Sequence, residues 1–185
     1  MPQWRVGDDG TAELPDLLVL DLDPGPGTGV TECARVAHRL RERLVEDGLD
    51  PVVKTSGSKG LQVYAPIRCR DADHPSRYAK ALAQQLTGET PDEVVWRMEK
   101  ALRPGKVLVD WSQNNTAKTT VAPYSLRARP LATVSTPLHW AEVDALREGA
   151  DPESVRFRTE DVLTRVERDG DLFDVADRRR ASLPR

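Results

Sequence analysis

Two aspartates one residue apart, Asp21 and Asp23, close the apolar run Leu17-Leu18-Val19-Leu20 and are followed at once by Pro24-Gly25-Pro26-Gly27. Side chains at i and i+2 of a strand share a face, so this spacing aims two carboxylates the same way at the strand's exit. Like charges that close repel, and the pair is tolerable when a divalent cation neutralises it or when one carboxylate holds a proton for chemistry. A third carboxylate, Asp110, ends a second apolar run at 106–110. Hard oxygen donors in this number suit two Mg²⁺ or Mn²⁺ ions, which in two-metal sites sit about 3.5–4 Å apart and stabilise the attacking and leaving oxygens of a phosphoryl transfer. The loop Ser56-Gly57-Ser58-Lys59-Gly60 carries what a phosphate needs: glycines that let backbone N–H groups approach closely, two hydroxyls, and a point charge on Lys59. Arg127 and Arg129, alternating on an extended stretch, are candidates for bidentate phosphate contacts from another side.

These residues need elements to hold them. A strand at 17–23 runs through the Pro/Gly turn into a helix at 30–47, where Cys33, Val36, Ala37, Leu40 and Leu44 recur at helical spacing, Thr28 or Thr31 caps the start and Gly48 ends it. Residues 51–55 and 61–67 read as two strands of a hairpin whose tip is the glycine-rich loop. Two helices are predicted at 75–86 and 91–102, strands at 106–110 and 119–122, irregular chain at 123–137, and helices at 138–147 and 160–168. A tail at 174–185, with Arg178-Arg179-Arg180, reads as a solvated end.

The 185 residues fit one compact domain with room for two lobes. No run approaches the ~18 apolar residues of a membrane span, and Met1-Pro2-Gln3-Trp4-Arg5 lacks the layout of a secretory signal, so a cytoplasmic protein without a membrane partner is expected. Cys33 and Cys69 lack metal-type spacing and read as reduced structural thiols. A net charge of −3 argues against a generally basic nucleic-acid binder. The acids are nevertheless unevenly placed: 51–70 and 111–141 contain none, while Lys54, Lys59, Arg68, Arg70, Lys118, Arg127 and Arg129 fall inside. Such stretches suit anion-facing surfaces flanking the carboxylates.

Four ordered blocks carry a resemblance: Leu20-Asp21-Leu22-Asp23-Pro24-Gly25, Thr55-Ser56-Gly57-Ser58-Lys59-Gly60-Leu61, Val109-Asp110-Trp111-Ser112-Gln113-Asn114, and 118–129 from Lys118 to Arg129. Over about 1–173 the chain resembles the polymerase domain of bacterial ligase D, a branch of the archaeo-eukaryotic primase superfamily. The resemblance implies an α+β fold, a catalytic core around an RRM-like mixed, largely antiparallel sheet flanked by helices. It implies Asp21, Asp23 and Asp110 as metal ligands, and Ser56, Gly57, Ser58, Lys59, Gly60, Gln62, Lys118 and Arg127 around an incoming nucleotide. It further implies Mn²⁺-favoured addition of ribo- or deoxyribonucleotides to 5′-phosphorylated DNA ends in double-strand break repair, with Ku and a DNA ligase as partners near the nucleoid. Gln62 stands where many relatives carry histidine, which leaves a hydrogen-bond donor but no charge. The family's domain has a substantial part before the first aspartates, with a histidine near the metals, a template-stacking aromatic and 5′-phosphate-binding basic residues; these are expected to be absent here, as are ligase and nuclease modules.

Two other readings compete. A non-catalytic module that binds DNA or a repair partner would keep the carboxylates without turnover. An aspartate-nucleophile phosphatase would use Asp21 as nucleophile and Asp23 as acid/base, and predicts a later acidic pair for Mg²⁺.

Overall fold

The computed structural model describes residues 4, 6–128, 131–175 and 178–184. Its spine is β1 (Leu17–Pro24), in which alternate residues part company: Leu18, Leu20 and Leu22 are buried without any exposed surface against helices, while Leu17, Val19, Asp21 and Asp23 face the other way. The period of two that places the carboxylates on one face therefore also builds the core on the other.

Around β1 lies a mixed, largely antiparallel sheet. In its order β4 (Val94–Val95), β5 (Val107–Asp110), β1, β3 (Leu61–Arg68), β2 (Val52–Thr55) and β8 (Pro137–Leu138) are neighbours. β4 pairs with β5 in parallel, and β9 (Ala181–Ser182) adds in parallel to the end of β3. Pro137, which has no N–H to give, sits on an edge strand where none is required. The helix-covered face packs Leu18, Leu20 and Leu22 with Cys33, Val36, Ala37, Leu40 and Leu44 of α1 (Val30–Glu46) and with Ala79, Leu82, Ala83 and Leu86 of α2 (His74–Glu89). α3 (Trp140–Arg147) lies along α1, and α4 (Thr159–Asp169) follows a short 3₁₀ turn. Cys33 and Cys69 are free thiols, as the spacing suggested.

Five expectations fail locally, most of them because a tertiary partner outweighs a local pattern. α1 is capped by Gly29, whose N–H donates to the Glu32 carboxylate at 2.8 Å; Thr28 instead hydrogen-bonds Gly25 and Lys106 carbonyls. No helix spans 91–102. Val94 and Val95 are taken as an edge strand, paired with Val107 and Leu108, and only a 3₁₀ turn forms at Lys100–Leu102. Residues 119–122 form no strand, although Thr119-Thr120-Val121 is β-prone: the segment lies over the open face, where the Thr120 and Tyr64 hydroxyls share a hydrogen bond of 2.8 Å. The irregular 123–137 stretch contains a small two-stranded sheet, β6 (Leu126–Arg127) with β7 (Thr133–Val134), as well as β8. The tail is docked rather than solvated, for Leu183 is buried, Arg178 pairs with Asp50 and Arg180 with Asp16.

Candidate active site on the open face of the sheet

Register assembles the site. Asp21 stands directly across from Asp110 on one side and from Gln62 on the other, Gln62 stands across from Lys54, and Lys54 across from Pro137. One polar row thus crosses four strands on the face opposite the helices, ending against Pro137 of β8, with Asp23 two residues further along β1. Opposed residues of an antiparallel pair have Cβ atoms about 4.5–5.5 Å apart, so Asp21 and Asp110 are neighbours by construction.

The electrostatics show the strain of this arrangement. Burial, then the charges of Asp23 and Asp110, push the Asp21 carboxyl up to about 7, against hydrogen bonding from Gln62 and the charge of Lys54. Asp23 is also raised, by burial and by Asp110, with Arg103 pulling the other way. Asp110 is held: Oδ1 accepts from the Ser112 N–H at 2.9 Å and the Ser112 hydroxyl at 2.6 Å, and Oδ2 accepts from Gln113 at 2.8 Å. Lys118 donates to the same Ser112 hydroxyl. Asn114 grips β1 from this turn, taking the Val19 N–H at 2.9 Å and giving to the Val19 carbonyl at 2.7 Å. As the side chains stand, no three His, Cys, Asp or Glu among the described residues close on one point. The donor set still fits divalent cations: three hard carboxylates share one face in adjacent register, and two of them have raised pKa values that a nearby cation would relieve.

Opposite the carboxylates stands the hairpin tip. Ser56 Oγ accepts from the N–H groups of Ser58 and Gly60, both at 3.2 Å, so these donors are turned into the loop rather than offered to a ligand as expected. Gly57 has φ +66°, and a Cβ there would lie 2.7 Å from Arg127 Cγ and 2.8 Å from the Ser135 nitrogen. A Cβ on Gly60 would lie 2.0 Å from the Leu22 carbonyl oxygen. These glycines let the loop press against both β1 and the Arg127 strand.

Between loop and carboxylates opens a cleft of about 410 Å³. Asp21, Asp23, Ser56, Ser58, Lys59, Gly60, Gln62 and Arg127 all line it. Asp110 sits beside it in the row, Gly57 faces a separate 270 Å³ cavity behind the loop, and Lys118 is exposed on the Asp110 turn. Arg129 lies outside the described residues. Gln62 forms part of the wall, with its oxygen taken by Lys54 and Tyr64. Sequence reasoning missed Lys54, Arg103 and Gln113 as site residues. Lys54 carried a signal, a cation alternating with apolar residues on the strand that leads into the loop; Arg103, in a turn 80 residues from Asp23, carried none.

An α+β sheet with acidic residues on its open face and a basic loop across a cleft defines the primase-polymerase class of architecture. The family described as "LigD, primase-polymerase domain" matches residues 1–173, and the chain belongs to that family. It is 45% identical over 186 residues to the multifunctional non-homologous end joining DNA repair protein LigD of Mycobacterium tuberculosis (strain H37Rv), covering 96% of this chain and 23% of that protein. It is 35% identical over 145 residues to the multifunctional non-homologous end joining protein LigD of Pseudomonas aeruginosa, covering 78% and 17%. Among solved structures, the polymerase domain from Mycobacterium tuberculosis ligase D in complex with DNA superposes with a TM-score of 0.86 at 42% identity, over 96% of this chain and 63% of that one. The chain spans less than a quarter of the length of these curated relatives. Among the described residues, no helix is long and apolar enough to cross a membrane.

Proposed function

We propose that the chain is catalytic machinery for nucleotidyl transfer to DNA 3′ ends, acting in double-strand break repair by end joining. The observation that carries this reading is the register that sets Asp21 against Asp110, with Asp23 beside them, across a cleft from Lys59 and Arg127. Asp21, Asp23 and Asp110 would hold two Mn²⁺ or Mg²⁺ ions, which when bound supply a lowered hydroxyl pKa and charge neutralisation at the phosphates. A primer 3′-hydroxyl attacks the α-phosphate of a ribo- or deoxyribonucleoside triphosphate, and pyrophosphate leaves. Lys59 and Arg127 bind the triphosphate and offset charge that builds on the leaving group. Ser56 and Ser58 orient it, with Gln62 in the wall behind. Lys118, exposed on the Asp110 turn, is assigned a contact to the triphosphate or the DNA backbone. The solved relative's complex with DNA supports DNA as the partner, and the names of the relatives support a role in non-homologous end joining. On the family resemblance we assign Ku and a DNA ligase as further partners, in a cytoplasmic, nucleoid-associated repair complex.

The test is incorporation of labelled nucleotides onto a primer with a 5′-phosphorylated template overhang in Mn²⁺, with Asp23→Ala beside the unaltered chain. Extension by the unaltered chain alone supports the reading; extension by both overturns it. No extension, with Mn²⁺ and nucleotide still bound, favours the non-catalytic reading, for which the hydrogen bonds that turn Asp110 onto Ser112 and Gln113 are the supporting observation. The phosphatase reading loses its support, because among the described residues the cleft is lined by no acid besides Asp21 and Asp23.

A further inference from the structure

Lys54 is fully buried in the polar row, and the proposed chemistry gives it no task. Burying an ammonium costs several kcal/mol unless its donors are satisfied. Here Nζ donates to Gln62 Oε1 at 2.6 Å and to Ser135 Oγ at 2.6 Å, and lies 5.6 Å from the centre of the Tyr64 ring. Ser135 Oγ passes the chain on to the Thr55 carbonyl at 2.8 Å, at the root of the Ser56–Gly60 loop.

The consequence falls on Gln62. Its oxygen accepts from Lys54 and, at 3.1 Å, from the Tyr64 hydroxyl, so only its NH₂ group is left to face β1. There it stands directly across the strand pair from Asp21, whose carboxyl it holds down against the upward push of burial. A flipped amide would set N–H donors against an ammonium and a hydroxyl proton. We propose that Lys54 is a positioning residue for the metal site: its ammonium fixes the orientation of the Gln62 amide, which in turn holds the Asp21 carboxylate in the attitude from which it ligates a divalent cation. This inference rests on the reading of Asp21 as a metal ligand.

The sign of the effect separates positioning from plain electrostatics. Removing a cation near a metal site strengthens metal binding if charge is all that matters. Losing an outer partner that orients a ligand weakens it, typically by 10–100-fold. Mn²⁺ binding to the full chain is measured by electron paramagnetic resonance titration, without nucleotide or DNA, for the unaltered protein, Lys54→Met, Gln62→Met and the double variant, with thermal melts to show that each is folded. Lys54→Met is expected to weaken Mn²⁺ binding about tenfold. The double variant is expected to bind no more weakly than the weaker single variant, because both act through one chain of hydrogen bonds. If Lys54→Met does not fold, Ser135→Ala keeps the charge, removes one anchor of Nζ, and should weaken binding about threefold. Unchanged or tighter binding in a folded Lys54→Met or Ser135→Ala variant, or strict additivity in the double variant, overturns the inference and leaves the reading of the site intact. An unaltered chain that binds no Mn²⁺ overturns both.

Discussion

The two faces of β1 are made from the same eight residues and obey opposite rules. On the helix side Leu18, Leu20 and Leu22 lose all exposure against α1 and α2, and each contact there lowers the free energy of the fold. On the open side Asp21 and Asp23 raise it, since burial and mutual repulsion hold both carboxyls above their ordinary range. The first face stabilises the second: a well-packed core is what keeps three carboxylates in register when their own interactions would drive them apart. Stability and chemistry are thereby separated by a period of two along one strand.

Substitutions on the two faces should therefore move different quantities, and Asp21→Asn should move the most. It is expected to lower nucleotide incorporation by at least about 10³-fold, the scale lost when a transition-state charge partner is removed. The same variant should be more stable than the parent above pH 7, by up to about 4 kcal/mol, read by urea melts in EDTA. The sign follows from the shift. The unfolded carboxyl ionises near 3.8 and the folded one near 7, so the folded chain holds the proton longer and its stability falls as pH rises between those values. Lys54 works on the other side of neutrality: burial lowers it from 10.5 to about 7, so its unfolded form keeps the proton longer and stability rises with pH from 7 to 10.5. Together they predict a stability minimum near pH 7 in EDTA, with Asp21→Asn flattening the acid limb and Lys54→Met the alkaline one. A flat profile in the parent would break the contrast between the faces.

Leu20→Ala, on the opposite face, should cost about 2–5 kcal/mol in urea melts and leave incorporation per folded molecule unchanged. A specific activity that falls in step with stability would show that the faces are coupled. Gly57→Ala tests the seam between them. With φ at +66° and Arg127 Cγ 2.7 Å from the new Cβ, it should cost about 1–3 kcal/mol and raise the KM for nucleotide by displacing Arg127. The smallest effect is expected from Arg178→Ala, whose exposed ion pair with Asp50 is worth about 0.5 kcal/mol or less in a thermal melt and should leave incorporation unaltered.

Much of this contrast was legible in the chain itself. The alternation Leu18, Leu20, Leu22 against Asp21 and Asp23, and the helical spacing of Cys33, Val36, Leu40 and Leu44, follow from periods that any backbone of that type imposes. The order of motifs placed the chain in its family, and the glycines of the Ser56–Gly60 loop announced a tight turn. What lay out of reach depends on partners remote in sequence. Val94 and Val95 are strand rather than helix because β5 has an edge to fill. Thr119–Val121 is not strand because it crosses a face instead of joining an edge. The tail docks because Asp16, Asp50 and the end of β3 await it. The row Asp110–Asp21–Gln62–Lys54 exists only once register is set, across a hairpin between Lys54 and Gln62 and between strands remote in sequence for the rest, and it was register that turned Lys54 from an expected anion-facing surface cation into a buried ammonium. Local periodicity fixes which face a side chain takes, because it is a property of neighbouring φ and ψ; which side chains meet on that face is decided by long-range pairing, whose energy is spread over the whole sheet and written at no single position.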